Sequence, residues 1–307
     1  MVDFLEVLNP DQVQAVQKFT REVAAADGVC PFDEQTLLDI ENPDAAAKYA
    51  LIFCTSADAG EQFPALLGVA AANLRNNSME LAVHPSARRQ GRGTALLALS
   101  KSIPDGTIWA HGNLPSAPAF AQANELEPAR QLLVMGRKIT APLSQISDVS
   151  QTNELPPSAG WRLDTFQPAD LTELVALNAR AFAEHPEQGQ LTVADFEQRF
   201  RQKWFDPRLL FLLRSTKSAA AERAKLGGFV WLKPSPSSIE LYVLGIDPAA
   251  QGQGLGGYLI QVALQAAQEN GYQEIVLYVD AGNHPAVHSY EKAEFTVQER
   301  HTAFQIR

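Results

Sequence analysis

An α/β fold, a mixed sheet carrying helices, is what this sequence predicts, and it is made twice in tandem. Apolar runs with strand-like alternation take turns with runs of helical period along the whole chain. A strand, a Gly-rich turn and a helix occur twice at matched places. Between the copies lies ITAPLSQISDVSQTNELPPSAG, residues 139–160, rich in Ser, Pro, Thr and Asn and without clear period, which reads as a linker. The 307 residues fit two domains of roughly 150 each. The expected division is residues 1–140, a linker at 141–160, and residues 161–307.

In order along the chain, residues 11–26 place their apolar side chains on one helical face. Tyr49–Cys54 and Leu66–Leu74 read as strands. The apolar run Leu81-Ala-Val83 ends at Pro85; Arg88 follows three residues later, then Gly91, Gly93 and a helical pattern. The second half opens with a helix over Pro168–Ala183, then strands at Leu209–Arg214 and Leu226–Leu232 joined by a polar loop. Ile239–Ile246 is the strand before the second turn, in which Pro248, Gln251, Gly254 and Gly256 repeat the spacing of the first. Tyr258–Glu269 is a helix, with Gly271 suited to its C-terminal cap. Ile275–Val279 is a strand, Pro285–Ala293 a helix, and the last strand begins at Phe295.

Hydrophobic residues make up 46% and charged residues 20% of the chain, which suits a globular core rather than disorder. With 25 Lys and Arg against 35 Asp and Glu the net charge is −10, so general nucleic-acid binding, which needs a basic surface, is not expected. The start MVDFLEVLNPDQ has acids where a signal peptide has bases, and no apolar run approaches the roughly 18 residues of a membrane span. Two cysteines, Cys30 and Cys54, are too few for a disulfide framework or a four-thiolate metal site. A cytoplasmic protein acting as a monomer on small molecules is the expectation.

A strand that runs into Gly-x-Gly and then a helix gathers free backbone N–H groups at the positive end of a helix dipole, a ready seat for phosphate. Glycine lets the backbone approach its ligand closely. A mononucleotide loop would need Gly-Lys-Ser/Thr, which neither copy has. A dinucleotide loop would follow the first strand of a βαβ unit, whereas here it follows about the fourth strand of each half.

The form Arg/Gln-x-x-Gly-x-Gly after a strand, here Gln251-Gly-Gln-Gly254-Leu-Gly256, resembles the acetyl-CoA pyrophosphate loop of the GCN5-related N-acetyltransferases. Asn283-His-Pro-Ala-Val-His-Ser-Tyr290-Glu-Lys-Ala-Glu-Phe295 resembles that family's second signature, Asn-x-x-Ala-x-x-x-Tyr-x-x-x-Gly-Phe. The tandem arrangement, with Asn178–Gln188, Asp247–Gly252 and Leu277–Asp280, is similar to the actinobacterial tandem branch of the family. That branch acetylates the cysteinyl amine of cysteinyl-glucosaminyl-inositol, the last step of mycothiol biosynthesis. The likeness covers nearly the whole chain and is tighter in the second half. It departs at Gln251, where Arg is frequent, at Gly282, in a usually polar stretch, and at Glu294, where Gly usually precedes Phe.

The resemblance implies two tandem acetyltransferase domains, with acetyl-CoA as co-substrate and no metal. It implies cofactor contacts at Leu244, Gly245, Ile246, Gln251, Gly252, Gln253, Gly254, Leu255, Gly256 and Gly257, and at Asn283, His284, Pro285, Ala286, Val287 and His288. In the first half the matching positions are Leu81, Ala82, Val83, Arg88, Arg89, Gln90, Gly91, Arg92 and Gly93. The acceptor contacts that it implies are Glu34, Glu187, Lys233, Glu240 and Tyr278. Glu34 comes from the first half, which would put the substrate between domains.

Acetyl transfer to an amine needs a deprotonated amine, a polarised thioester carbonyl and a protonated leaving thiolate. Tyr290 falls at the family's acid position. Glu240 opens the strand that leads into the turn and could take the amine proton, directly or through water. By strand alternation Glu240, Tyr242 and Leu244 share a face unless a bulge intervenes. When the turns are aligned on Pro85 and Pro248, Glu240 falls on Asn77; aligning Leu126 with Phe295 puts Tyr290 on Ala121. The first half is therefore expected to be structural, with acetyl-CoA binding possible and turnover not.

Other readings of the same residues stay open: an acetyltransferase for a protein N-terminus, an aminoglycoside or a polyamine, or an acyl-CoA-binding protein without turnover. The six histidines form no metal-binding spacing and read as surface or packing residues. Trp161, Trp204 and Trp231 read as core.

Overall fold

The computed structural model describes residues 2–53, 65–139, 160–185, 188–216 and 225–306. The linker expected at 141–160 lies, but for Gly160, outside the described residues, as do Cys54 and Glu187. Two compact units form: Met1–Leu132 with Glu299–Arg307, and Leu133–Gln298.

The first unit contains β1 (Asp3–Leu5), α1 (Pro10–Asp27), α2 (Glu34–Ile40), β2 (Ala47–Phe53), β3 (Leu66–Asn73) and β4 (Ser78–Val83). After these come α3 (Arg92–Leu97), β5 (Thr107–Ala110), α4 (Ser116–Ala123) and the start of β6 (Glu127–Lys138). Helix α1 begins where it does because Asn9 and Gln12 cap it reciprocally, and it stops at Gly28, which takes a left-handed φ of 75°. β1 to β4 are antiparallel neighbours, and β4 pairs with β5 in parallel over Ser78–Glu80. The far edge of β5 is covered by Thr302–Gln305, the end of the chain's last strand. One core cluster gathers around Phe19 and Leu51, the other around Met79, Leu96 and Ile306.

The second unit contains β7 (Trp161–Thr165), α5 (Leu171–Ala181), α6 (Val193–Phe200), β8 (Leu210–Ser215), β9 (Leu226–Pro234) and β10 (Ile239–Ile246). Then come α7 (Leu255–Glu269), β11 (Glu274–Asp280), α8 (His284–Lys292) and β12 (Thr296–Gln305), which starts here and ends in the first unit. The strand order is β6-β11-β10-β9-β8-β7. On one face α7 and α8 cover Leu241, Ile275 and Leu277; on the other α5 and α6 cover Leu212, Phe229, Trp231 and Val243.

The predicted strands and helices recur with small shifts. Helix α7 starts at Leu255, three residues before the expected Tyr258; Gly256 and Gly257, poor helix formers, sit inside its first turn and mask its start in the sequence. Of the three tryptophans read as core, Trp231 is fully buried, whereas Trp161 and Trp204 remain partly exposed.

Candidate active site

The second Gly-rich turn is built from Asp247 outward. Its buried carboxylate accepts from the Ala249 N–H at 2.9 Å and from Arg180 of α5 at 2.8 and 3.0 Å. Burial alone would raise this carboxyl, but the Ala249 N–H and the Arg180 guanidinium outweigh it and hold the group below the usual range. Gly252 and Gly254 have φ of 75° and 79°, a region costly for other residues. Gly254 caps α7 without a side chain, so the first-turn N–H groups of Leu255, Gly256 and Gly257 meet no capping oxygen. A Cβ on Gly252, Gly254, Gly256 or Gly257 would meet nothing within 4 Å. The turn thus offers uncapped donors, a helix dipole and open ground, which fit a pyrophosphate.

The strand before the turn separates from its neighbour. β10 and β11 pair in parallel only at Ile239–Leu241 against Ile275–Leu277, whereas β10 stays paired with β9 as far as Ile246. Along Leu244–Ile246 the edge turned towards β11 is therefore open, and its backbone N–H groups border a notch in the sheet.

A bulge does intervene in β10. The register with β9 shifts between Leu241 and Val243. Before it, Ile239 and Leu241 pack with α7; after it, Tyr242 and Val243 both turn to the α5–α6 side, and Leu244 and Ile246 return to the α7 side. The shared face expected for Glu240, Tyr242 and Leu244 is corrected accordingly: Glu240 and Tyr242 share one, and Leu244 lies on the other.

Tyr290 lies on the inner side of α8, 8% exposed, in the same cluster as Leu244, Ile246 and Leu255, with its ring 5.8 Å from Phe295. Burial pushes its phenol up to about 12. Asn283 caps α8 by accepting from the Ala286 N–H at 3.3 Å; His284, Pro285 and His288 are exposed, while Ala286 and Val287 pack inward.

On the opposite face, Glu240 stands directly across from Lys233 of β9 and beside Val276 of β11. Tyr278, 47% exposed, is two residues beyond Val276 and so on the same face. Three of the predicted acceptor residues thus come together on adjacent strands. Glu187 lies outside the described residues. Its neighbours are clamped: Gln188 exchanges hydrogen bonds with buried Asn178 at 2.7 and 2.8 Å, and its backbone N–H donates to His185 Nδ1 at 3.1 Å. In the first unit, half-buried Glu34 opens α2, just after the cap residue Asp33.

The matching turn of the first unit differs in chemistry. Leu81, Val83, Arg88, Arg89, Gly91 and Gly93 line a cleft of about 460 Å³. Arg88, however, is spent on a bidentate pair with Asp27 at 2.6 and 2.9 Å and on the Val83 carbonyl at 3.0 Å. Arg89 occupies the left-handed region (φ 61°) where the second copy has Gly252, and α3 is only six residues long. Asn77, aligned with Glu240, sits in a turn at φ 52° before β4, and Ala121, aligned with Tyr290, is buried in α4.

Comparison with known proteins gives a consistent picture. The sequence model described as "Acetyltransferase (GNAT) family" matches residues 173–295. The mycothiol acetyltransferase of Clavibacter michiganensis subsp. michiganensis is 37% identical over 93% of this chain and 89% of its own. That of Catenulispora acidiphila is 38% identical over 97% and 96%. This chain belongs to the mycothiol acetyltransferase family. It is an acetyl-CoA-dependent N-acetyltransferase. Among solved structures, a tandem GNAT protein from the clavulanic acid biosynthesis pathway superposes with a TM-score of 0.65 over 100% of this chain and 98% of its own, at 16% identity. A GCN5-related N-acetyltransferase from Sphaerobacter thermophilus gives 0.64 over 99% and 95%, at 20% identity. Both share the fold.

Two features of this family member had no separate signal in the sequence. Arg180 of α5 braces Asp247 under the turn. His111 and His301, read as surface or packing residues, form a buried chain with Glu80: His111 Nε2 meets Glu80, and its Nδ1 lies 3.2 Å from His301 Nδ1. Glu80 also accepts from the Asp33 N–H at 2.9 and 3.1 Å. A spacing of 190 residues between the two imidazoles leaves no local pattern to read. Among the described residues no cluster of His, Cys, Asp and Glu could hold a metal ion, and no helix is long and apolar enough to cross a membrane.

Proposed function

We propose that this chain transfers the acetyl group of acetyl-CoA to the cysteinyl amine of cysteinyl-glucosaminyl-inositol, the last step of mycothiol biosynthesis, and that the second unit carries the chemistry. The observation that carries this reading is the notch between β10 and β11. An uncapped glycine turn and Tyr290 belong to one face of the sheet beside it, and Glu240, Lys233 and Tyr278 to the other.

Bound acetyl-CoA supplies an activated acetyl group. The N–H groups of Leu255–Gly257 hold its pyrophosphate, and those along Leu244–Ile246 polarise its carbonyl. Asn283–His288 flank it from α8. Glu240 takes the amine proton, directly or through one water, and Lys233, Tyr278 and Glu187 hold the polar acceptor. An α-amino group with a pKa of about 7.7–8.0 asks little of its base. Tyr290 stands by the sulfur. A phenol at about 12 is a weaker acid than a thiol near 8.5, so its hydrogen bond steadies the departing thiolate, and the net proton on sulfur comes from the acceptor's ammonium. In the first unit the cleft lined by Leu81, Val83, Arg89, Gly91 and Gly93 takes a second acetyl-CoA without turnover, with the Arg88 guanidinium kept on Asp27. We read the protein as a cytoplasmic monomer that engages neither nucleic acid nor membrane.

The test is a panel of amines with acetyl-CoA, following thiol release and the mass of the acceptor. The cysteinyl pseudodisaccharide should react with a kcat/KM at least about a hundredfold above aminoglycosides, polyamines and peptide N-termini. Faster acetylation of another amine rejects this acceptor. Acetyl-CoA binding with no thiol release across the panel would make the chain a binding protein.

A further inference from the structure

We infer that Trp204, Tyr242 and Arg199 are positioning residues: they form an aromatic holder that fixes the ammonium of Lys233 on the acceptor face. The inference rests on the acceptor reading above and deepens it. Lys233 Nζ lies 5.0 Å from the centre of the Trp204 ring and 5.1 Å from that of Tyr242. The two rings are themselves 5.3 Å apart at 65°, so the ammonium meets two π faces at once.

Neither ring is placed casually. Strand alternation puts Tyr242 on this face, the bulge beside it adds Val243, and the Tyr242 ring lies edge-on 5.1 Å from buried Trp231. Its hydroxyl accepts from Arg199 Nε at 2.8 Å. Arg199, 6% exposed, is anchored in turn on the Asp195 carbonyl at 3.0 Å, in a helix started by the reciprocal cap of Thr192 and Asp195. Trp204 packs 5.5 Å from Trp231.

A lysine on a strand is a long, freely rotating side chain. Two π faces attract its charge and hold it in one place, directly across from Glu240, on the face that the acceptor reading assigns to the hydroxyl-rich acceptor. A buried arginine that ends on a tyrosine hydroxyl serves this face, because it locks the ring that carries the lysine.

The experiment is steady-state kinetics of the full chain with acetyl-CoA and cysteinyl-glucosaminyl-inositol, in Trp204→Leu, Trp204→Phe, Tyr242→Phe and Lys233→Met and in the doubles with Lys233→Met. Trp204→Leu should raise the acceptor KM about tenfold and leave the acetyl-CoA KM within about twofold. Trp204→Phe, which keeps a π face, should recover most of that loss. Tyr242→Phe, which keeps the ring and drops the Arg199 bond, should raise the acceptor KM about threefold. In the Lys233→Met background neither substitution should add a further effect. Equal effects in both backgrounds, or an unchanged acceptor KM, overturn the inference. If Trp204→Leu does not fold, the same cycle with Tyr242→Phe decides. An inert wild-type enzyme sinks the acceptor reading first and this inference with it; an active wild type with additive variants sinks this inference alone.

Discussion

Tyr290 and His301 show how burial sets what a single side chain can do. With its phenol raised to about 12, Tyr290 stays protonated throughout the range in which an amine loses its proton. The rate should therefore rise with pH through the amine's own titration, at about 7.7–8.0, and show no fall owed to Tyr290 below about pH 12. A pH–rate profile with an alkaline limb near 10 that vanishes in Tyr290→Phe would contradict this placement. His301 moves the other way. Burial lowers it first, and the neighbouring His111 adds to that, against the opposing pull of Glu299 and Glu80. Its folded form holds a proton less tightly than the unfolded chain. The stability it contributes is present above the ordinary histidine range, about 6.5, and is lost as pH falls below it. Thermal unfolding between pH 7.5 and 5 should show the first unit weakening with acid, and His301→Gln should flatten that slope; an equal slope in the variant would remove His301 as its source.

At the scale of elements, the glycine turn and the strand before it were the most legible part of the site. Gly252 and Gly254 sit at left-handed φ, so the pattern in the sequence records a backbone requirement. Gly254→Ala should cost about 1–2 kcal/mol of stability in thermal or urea unfolding and weaken acetyl-CoA binding. Gly257→Ala separates the two effects. Its backbone is ordinary and its surroundings open, so alanine should stabilise α7, by about 0.5–1 kcal/mol, while its methyl group crowds the phosphate seat and raises the acetyl-CoA KM. Unchanged acetyl-CoA affinity in Gly257→Ala would move the phosphate elsewhere. The bulge at Tyr242 was not legible, because Leu241–Leu244 is an unbroken apolar run whose faces the sequence does not tell apart, and only pairing with β9 reveals the shift of register. The same bulge leaves Tyr242 on the face of Glu240 and moves Leu244 to the other. The aromatic holder of Lys233 was illegible for a related reason: Arg199, Trp204, Lys233 and Tyr242 come from a helix, a loop and two strands, and Trp204 alone reads as core.

At the scale of the whole molecule, the duplication could be read from two copies of one turn, but not the path of the last strand. Glu299–Arg307 belongs to the first unit, where Thr302–Gln305 covers the edge of β5 and Phe304 and Ile306 are buried. These two side chains contribute about 3–6 kcal/mol by burial, so a chain ending at Gln298 should lose amide protection across Thr107–Ala110 in hydrogen exchange. Protection that survives the truncation would mean that β5 does not depend on this strand. On the proposed reading the duplication also divides labour: both copies keep a glycine turn without a side-chain cap, but one has Glu240 and Tyr290 in its unit, whereas the other has Asn77 and Ala121 at the aligned positions and its turn arginine committed to Asp27. Thiol release from acetyl-CoA with the cysteinyl acceptor, compared between wild type, Glu240→Gln and Tyr290→Phe, tests this division most directly. Each variant should lose about a hundredfold or more in kcat with the acetyl-CoA KM little changed; turnover near that of the wild type in both would place the chemistry outside the second unit's notch.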